Sequence, residues 1–184
     1  MITFIWVTND MFDILQGLKN KCFLIELPSH LWRNIDPYVL RVVKGGEWKT
    51  FKFYTDDHKR SHELRNISNI TGGVYVFYIT PDVIPKNHRI LMYIGRARLT
   101  ENQNLRKRIS EYYGYAPPND ERPKLADMLK EWWEDIYCSY LELSCANDEI
   151  DHIEAELINK LLPHCNDAIP DTKIGKAVKA AGLQ

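Results

Sequence analysis

Hydrophobic and polar residues change their spacing several times along the first 65 positions, as expected for short elements of mixed type. The pattern predicts a strand at 2–7, a helix at 11–18 and a second strand at 22–27. A β-hairpin is predicted after them, with its arms at 38–44 and 47–54. The hairpin is predicted because two β-rich runs flank the pair Gly45-Gly46. We therefore expect an N-terminal α/β element of unassigned role.

From residue 66 onward the pattern is more regular. Apolar, β-branched runs predict strands, and apolar residues three and four apart predict helices; the strands are 73–79, 89–95 and 136–143, and the helices 104–113, 123–135 and 148–162. The polar stretch 55–69 is typical of a helix or a linker. We predict an α/β fold of the α+β kind, with a small three-stranded mixed or antiparallel sheet flanked by helices. The predicted divisions are 1–65, a main domain 66–170 and a basic C-terminal tail 171–184.

Charge is distributed unevenly along a chain that is nearly neutral overall. Lys and Arg number 24 and Asp and Glu number 25, which excludes a uniformly basic coat for nucleic acid. Residues 86–115 nevertheless contain seven basic and two acidic side chains, whereas 116–170 contain four basic and thirteen acidic ones. The basic block is a candidate surface for phosphate. A solvated helix and loop face explains the same block, and charge alone favours that explanation.

Cysteine usage and hydropathy bear on the compartment. The four cysteines form no CxxC pair, which is typical of reduced thiols in a cytosolic protein. No apolar run approaches the roughly 18 residues of a membrane span. The apolar start, Met1–Val7, lacks a basic region before it and is predicted to be a strand rather than a signal peptide. We expect a cytoplasmic protein that is not in the membrane.

Five separated sequence pieces carry a specific motif order. They are Gly73-Val74-Tyr75, Tyr93-Ile94-Gly95, the run Leu105–Arg108 with Tyr112 one turn beyond it, Glu154, and the pair Pro163 and Asn166. Together they resemble the GIY-YIG nuclease family over about residues 69–166. Two departures accompany the resemblance: residues 81–88 look like an insertion between the two triplets, and Arg96 stands where a lysine is common. Residues 1–65 match no element of that family.

The resemblance implies a site for phosphodiester hydrolysis. Glu154 would hold one Mg²⁺ (or Mn²⁺) ion, which keeps several waters and accepts phosphate oxygens. Glu156 competes for this role, but only Glu154 has the spacing to Pro163 and Asn166 that the family shows. Arg108 would offer its planar fork to the scissile phosphate, and Arg96 would add charge beside it.

The tyrosines would handle protons. Tyr75 is the candidate general base, with a pKa lowered by nearby cations from its usual value near 10, and Tyr93 and Tyr112 would orient water or transfer protons. The supporting residues are expected to be Gly73, Gly95, which permits close approach of the backbone, and Asn166, which anchors the glutamate helix or bonds within the site. Contacts with nucleic acid are expected from Arg98, Arg106 and Lys107.

The predicted function is that of a metal-dependent endonuclease for DNA, most simply double-stranded DNA. Because the sequence shows no appended DNA-binding domain, we expect a restriction or defence-type nuclease, which could act as a homodimer since a duplex has two strands to cut. Two alternatives stay open. One is a non-catalytic nucleic-acid-binding or regulatory protein on the same fold, and the other is a structure-specific or RNA nuclease.

Overall fold

A four-stranded antiparallel sheet forms the centre of the computed structural model, which describes residues 29–81, 88–114 and 122–180. The strands are β1 (Lys49–Lys52), β2 (Gly72–Ile79), β3 (Ile90–Ala97) and β4 (Ile136–Leu143), and their order in the sheet is β1-β4-β2-β3. The helices are α1 (Ser29–Trp32), α2 (Pro37–Gly45), α3 (Leu105–Glu111), α4 (Pro123–Glu131), α5 (Asn147–Leu161) and α6 (Thr172–Ala180). Two short 3₁₀ helices lie at His62–Asn66 and Tyr112–Gly114.

Strand β2 is central and is buried on both faces, which explains its continuous apolar sequence. Its side chains alternate between two cores. Tyr75 and Phe77 belong to a core shared with α3 and α4, whereas Val74 lies in a second core shared with α2 and α5. The candidate residues on β2 and β3 are therefore fixed by tight packing.

The predicted β-hairpin is wrong. Residues 37–45 form helix α2, because Pro37 stands at its start and the Asp36 carboxylate caps it by accepting from the backbone N–H groups of Tyr38 (2.7 Å) and Val39 (3.2 Å). The β-branched residues that suggested a strand recur with helical spacing, and Val39 is buried in the core beside α5. Capping and packing thus outweigh strand propensity here.

The sheet has four strands rather than the three predicted. The additional strand, β1, pairs with β4, and Phe51 lies opposite Cys138. Phe51 and Phe53 share a core with the β2 side chains, so β1 belongs to the main sheet although the predicted division at residue 65 places it in the N-terminal element. The polar stretch after it contains the 3₁₀ helix His62–Asn66.

The α/β class is confirmed, and the three strands and three helices predicted after residue 66 are present, the strand at 136–143 with the predicted bounds and the others with shifted ends. The predicted elements at 2–7, 11–18 and 22–27 lie outside the described residues. The predicted basic tail contains helix α6. Within the described ranges, no helix has both the length and the apolar character needed to cross a membrane.

Candidate active site

The two triplets meet because β2 and β3 are antiparallel neighbours. Tyr75 pairs with Gly95 in the register, and the Tyr75 ring lies across the Gly95 backbone. A Cβ atom at position 95 would lie 2.5 Å from Cζ and from the hydroxyl oxygen of Tyr75. Gly95 therefore makes room for the tyrosine of the first triplet, a more specific role than the backbone approach expected from the sequence.

Gly73 is required by its own backbone. Its φ is +155°, and a Cβ atom there would lie 2.1 Å from the carbonyl oxygen of Leu141 on β4. Since β4 adjoins β2, any side chain at position 73 would push the two strands apart. Gly73 supports the site by keeping β2 in the plane that orients Tyr75.

Three buried tyrosine hydroxyl groups form a hydrogen-bonded chain. The hydroxyl oxygens of Tyr75 and Tyr112 are 2.6 Å apart, and Tyr112 donates to Tyr93 over 3.2 Å. A phenol has one hydrogen to donate, so Tyr75 must donate to Tyr112 when Tyr112 donates to Tyr93. The hydrogen of Tyr93 is then directed away from this chain. Tyr75 and Tyr93 line a cavity of about 430 Å³, whereas Tyr112 lies behind them.

Arg122 is a site residue that the sequence did not reveal. It directly precedes α4, and its Nη1 donates to the hydroxyl oxygens of Tyr93 (2.6 Å) and Tyr112 (3.4 Å) while the side chain lines the same cavity. Arg122 lies in the acid-rich stretch after residue 116, outside the basic block at 86–115 that the sequence marks as a candidate phosphate surface. The only sequence signal is an arginine just before the proline that begins a helix.

Arg108 is held in place by side chains on either side of it. Its Nη1 donates to Oε2 of Glu111 (2.7 Å), Gln103 donates to the other Glu111 oxygen (2.9 Å), and the guanidinium lies 5.4 Å from the Tyr112 ring centre. Burial alone would raise the pKa of Glu111, but the bonds from Gln103 and Arg108 outweigh it and the pKa is lowered. A charged Glu111 thus fixes the orientation of Arg108.

Glu154, on α5, forms an ion pair with Arg96 of β3. The Nε atom of Arg96 lies 2.8 Å from Oε2 of Glu154 and 2.8 Å from Oδ1 of Asp151, one helical turn earlier. Its N–H points along neither contact, so this buried donor has no hydrogen-bond partner within the described part of the chain. Arg98 binds Asp151 through two nitrogens, one of them 2.9 Å from Oδ1. Asp151 is a second acidic residue that the sequence did not single out.

The competing glutamate lies on a different side of α5. Glu156 accepts from the backbone N–H of Asp36 (2.9 Å) and lies 3.6 Å from the Lys160 ammonium, beside the start of α2. Glu154 lines the cavity with the two tyrosines, and Glu156 does not line it. Glu154, the glutamate expected from the spacing, therefore lies beside the two tyrosines, whereas Glu156 joins α5 to the start of α2.

The expectation that nearby cations lower the pKa of Tyr75 is wrong for the protein without substrate or metal ion. Burial raises the pKa of Tyr75 well above its usual value, Tyr112 and Tyr93 add to this, and the opposing effect of Arg108 is smaller. Burial likewise raises the pKa of Glu154, against the attraction of Arg96. Tyr75 is a neutral phenol at physiological pH, so it holds a proton within the hydroxyl chain.

Asn166 supports the edge of the sheet. β3 is an edge strand, and the Asn166 side chain pairs with both backbone groups of Ile94, accepting from its N–H and donating to its C=O, each over 2.8 Å. The neighbouring Cys165 N–H donates to the carbonyl of Met92 (2.8 Å). Asn166 therefore fixes the middle residue of the Tyr93-Ile94-Gly95 triplet and does not line the cavity.

The three residues expected to contact nucleic acid have separate surroundings. Arg98 lines the cavity and is paired with Asp151. Arg106 donates to the backbone carbonyls of Ile67 (2.6 Å) and Arg65 (2.8 Å), and so ties α3 to the preceding segment. Lys107 is exposed and donates to the carbonyl of Asn102 (2.6 Å).

The cavity suits an anion. Its charged lining is four arginines and one glutamate, namely Arg96, Arg98, Arg108, Arg122 and Glu154. Arginine forks match phosphate oxygens geometrically, although Arg96, Arg98 and Arg108 are each already paired with a carboxylate. The described residues contain no group of three or more His, Cys, Asp or Glu side chains placed to hold a metal ion. Comparisons with protein families, curated proteins and solved structures give no match for this chain.

Proposed function

We propose that this protein is a metal-dependent endonuclease that hydrolyses phosphodiester bonds in DNA. The observation that carries the proposal is the cavity in which Tyr75, Tyr93, Arg96, Arg108 and Glu154 converge from β2, β3, α3 and α5. These are the residues expected from the sequence for one reaction, and they come from distant parts of the chain. A phosphodiester is an anion whose charge grows during hydrolysis, so fixed cations around it lower the barrier.

The arginines and Tyr93 would bind and orient the phosphate. Arg108 is oriented by Glu111, and the Arg96 side chain adds a second guanidinium to the cavity lining. The hydroxyl hydrogen of Tyr93 is not used within the chain of three tyrosine hydroxyl groups, so Tyr93 can donate it to the phosphate. Arg122 donates to the Tyr93 hydroxyl oxygen, which makes this hydroxyl group a stronger donor. Tyr75 would pass a proton along the chain to or from a water at the cavity.

Glu154 would hold one Mg²⁺ or Mn²⁺ ion. A single half-buried carboxylate beside a phosphate-sized cavity fits an ion that takes its other ligands from water and phosphate. The ion would supply an activated water and charge neutralisation. Arg96 shares the Glu154 carboxylate, so it would keep Glu154 ionised despite the burial that raises its pKa.

The substrate and setting are part of the proposal. We take the substrate to be double-stranded DNA, the biological role to be restriction or defence, and the active form to be a homodimer in the cytoplasm. Digestion of a genome followed by sequencing of the ends tests the role, because a restriction enzyme leaves fixed ends.

Supercoiled plasmid incubated with Mg²⁺ or with EDTA tests the activity. We expect nicked and linear products with Mg²⁺ or Mn²⁺ only. Absence of cleavage by the wild-type protein on DNA and RNA substrates, with either ion, would refute the nuclease proposal. Cleavage of RNA alone would keep the chemistry and change the substrate class.

The ion pair between Arg96 and Glu154 favours a second candidate. A carboxylate already paired with an arginine at 2.8 Å suits a nucleic-acid-binding or regulatory protein that never binds an ion there. Metal titration separates the two. A nuclease binds Mn²⁺ in a manner that Glu154→Gln abolishes, whereas a non-catalytic protein binds DNA equally with and without the ion.

A further inference from the structure

A second positively charged depression lies on the other side of α3 from the catalytic cavity. It has a volume of about 400 Å³, and its charged and ionisable lining consists of Arg60, His62, Arg65 and Arg106. We call these four residues the cationic cleft. The described residues that line it include no carboxylate. The nearest acidic side chain in the segment, Glu63, lines a separate shallow depression with His62 and Arg65.

The cleft is firmly attached to the element that carries Arg108. Arg106 is clamped on the carbonyls of Arg65 and Ile67, which joins α3 to the cleft. On the other side, the Tyr113 hydroxyl donates to the carbonyl of Phe53 (2.5 Å) and accepts from the N–H of Ser61 (3.3 Å). The Phe53 and Tyr113 rings stack with centres 4.1 Å apart. The cleft is therefore joined by hydrogen bonds and ring stacking to the helix that carries Arg108.

The positive groups of the cleft are presented to solvent. Arg60, His62 and Arg65 are exposed, and the Arg60 guanidinium lies 5.0 Å from the Tyr113 ring centre rather than on a carboxylate. Arg65 has the His62 ring 3.4 Å from its Nη2. Arginines held over an aromatic ring or beside an imidazole keep their charge available for an anion.

The cleft and the cavity lie on different sides of helix α3. Arg106 and Arg108 are two positions apart on α3, about 200° around its axis, so they project to different sides of a helix roughly 10–12 Å thick. For a duplex whose axis crosses α3, at about 3.4 Å of axis per phosphate in one strand, that thickness corresponds to about three phosphates. One strand could thus occupy both depressions.

We propose that the cationic cleft binds the phosphate backbone of duplex DNA a few nucleotides from the bond that is cut. This inference rests on the proposed function, and it gives a role to the segment between β1 and β2, for which the sequence suggested none. Arg60 and Arg65 would each contact a phosphate. Arg106 would add charge while it holds the segment in place.

Binding measured by fluorescence anisotropy in EDTA tests the cleft without cleavage. The logarithm of the affinity falls with the logarithm of salt by about 0.9 per phosphate contact. On a synthetic duplex long enough to span cleft and cavity, Arg60→Ala/Arg65→Ala should therefore reduce the slope by about 1.8. Between about 50 and about 200 mM KCl, the fold-loss of affinity in this variant should be about 12 times smaller than the fold-loss in the wild type. Arg60→Lys/Arg65→Lys should keep most of the slope, which shows that charge is the cause.

The matched control is Arg41→Ala/Lys44→Ala on α2. Both residues are exposed, and the double variant loses the same charge from another surface. Its slope should equal that of the wild type. If the slope of Arg60→Ala/Arg65→Ala equals that of the wild type, or if the slope of the control falls by the same amount, the proposal that the cleft binds DNA is refuted.

Single-turnover cleavage with excess protein separates the two proposals. The half-saturating concentration of Arg60→Ala/Arg65→Ala should rise by the same factor as its dissociation constant in the same salt. If the wild type cuts nothing, the nuclease proposal fails, and the slopes still decide whether the cleft binds DNA. If the wild type cuts and the slopes agree between variants, only the cleft fails.

Discussion

The pairing of Asn166 with the edge strand makes a quantitative prediction about stability. Asn166→Ala would leave the Ile94 N–H and C=O, both bonded at 2.8 Å in the wild type, without their side-chain partner. The Asn166 residue is only 7% exposed, so bulk water reaches this position poorly. Each buried backbone group that loses its partner costs about 1–3 kcal/mol. We expect the free energy of unfolding to fall by roughly 2–4 kcal/mol.

Urea denaturation followed by circular dichroism measures this change. For a chain of this size, a loss of that magnitude lowers the midpoint by about 1–2 M. Hydrogen exchange gives a local readout, because the Ile94 amide should exchange much faster in the variant. Cleavage should fall as well, since the strand carries Tyr93 and Arg96.

Asn159→Ala is the matched control. Its side chain accepts one bond, from the Asp171 N–H at 2.8 Å, near the surface. Water can replace that bond, so the midpoint should change far less. Equal midpoints for Asn166→Ala and the wild type, or an Ile94 amide with unchanged protection, would refute the reasoning that this side chain completes the sheet edge.

Three further predictions concern packing, proton transfer and pH. Gly95→Ala should lower stability by about 1–3 kcal/mol and impair cleavage, because its Cβ meets the Tyr75 ring, whereas Gly45→Ala, with no atom within 4 Å, should do neither. Tyr75→Phe should slow single-turnover cleavage by about 10²–10⁴-fold, with only a small shift of the urea midpoint. Burial raises the pKa of Cys165 to about 12, whereas the unfolded thiol ionises near 8.5, so the contribution of this thiol to stability should be constant below about pH 8.5 and be lost progressively above it. That fall should be smaller in Cys165→Ala; an identical pH dependence would contradict it.

The motif residues were predicted from a resemblance in sequence, and the structure gives some of them a stereochemical reason. A glycine in one strand opposite a tyrosine in its neighbour follows from the antiparallel pairing of Tyr75 and Gly95. The spacing that favoured Glu154 over Glu156 places the two side chains on different sides of α5, one in the cavity and one beside α2. The strands depend on local periodicity, which a sequence displays directly, whereas the choice of Glu154 rests on the spacing that the resemblance implies.

The errors came from interactions that act over longer distances. Residues 37–45 form a helix although strand propensity predicts a strand, because the valines of α2 pack on α5 and Asp36 caps its start. Arg122 escaped notice because only the fold brings the start of α4 to Tyr93. The expected contact of Arg106 with nucleic acid stays a prediction, but its hydrogen bonds to the backbone carbonyls of residues 65 and 67 were not foreseen from its charge. Charge in a sequence does not reveal which guanidinium groups are already occupied.

The most direct test of the central claim compares two neighbouring glutamates. Glu154→Gln and Glu156→Gln each remove one negative charge from α5, but only Glu154 lines the cavity with Tyr75, Tyr93 and Arg108. Plasmid cleavage with Mg²⁺ should be abolished in Glu154→Gln and retained in Glu156→Gln, while DNA binding in EDTA is retained in both. Cleavage by Glu154→Gln at the wild-type rate would contradict the account.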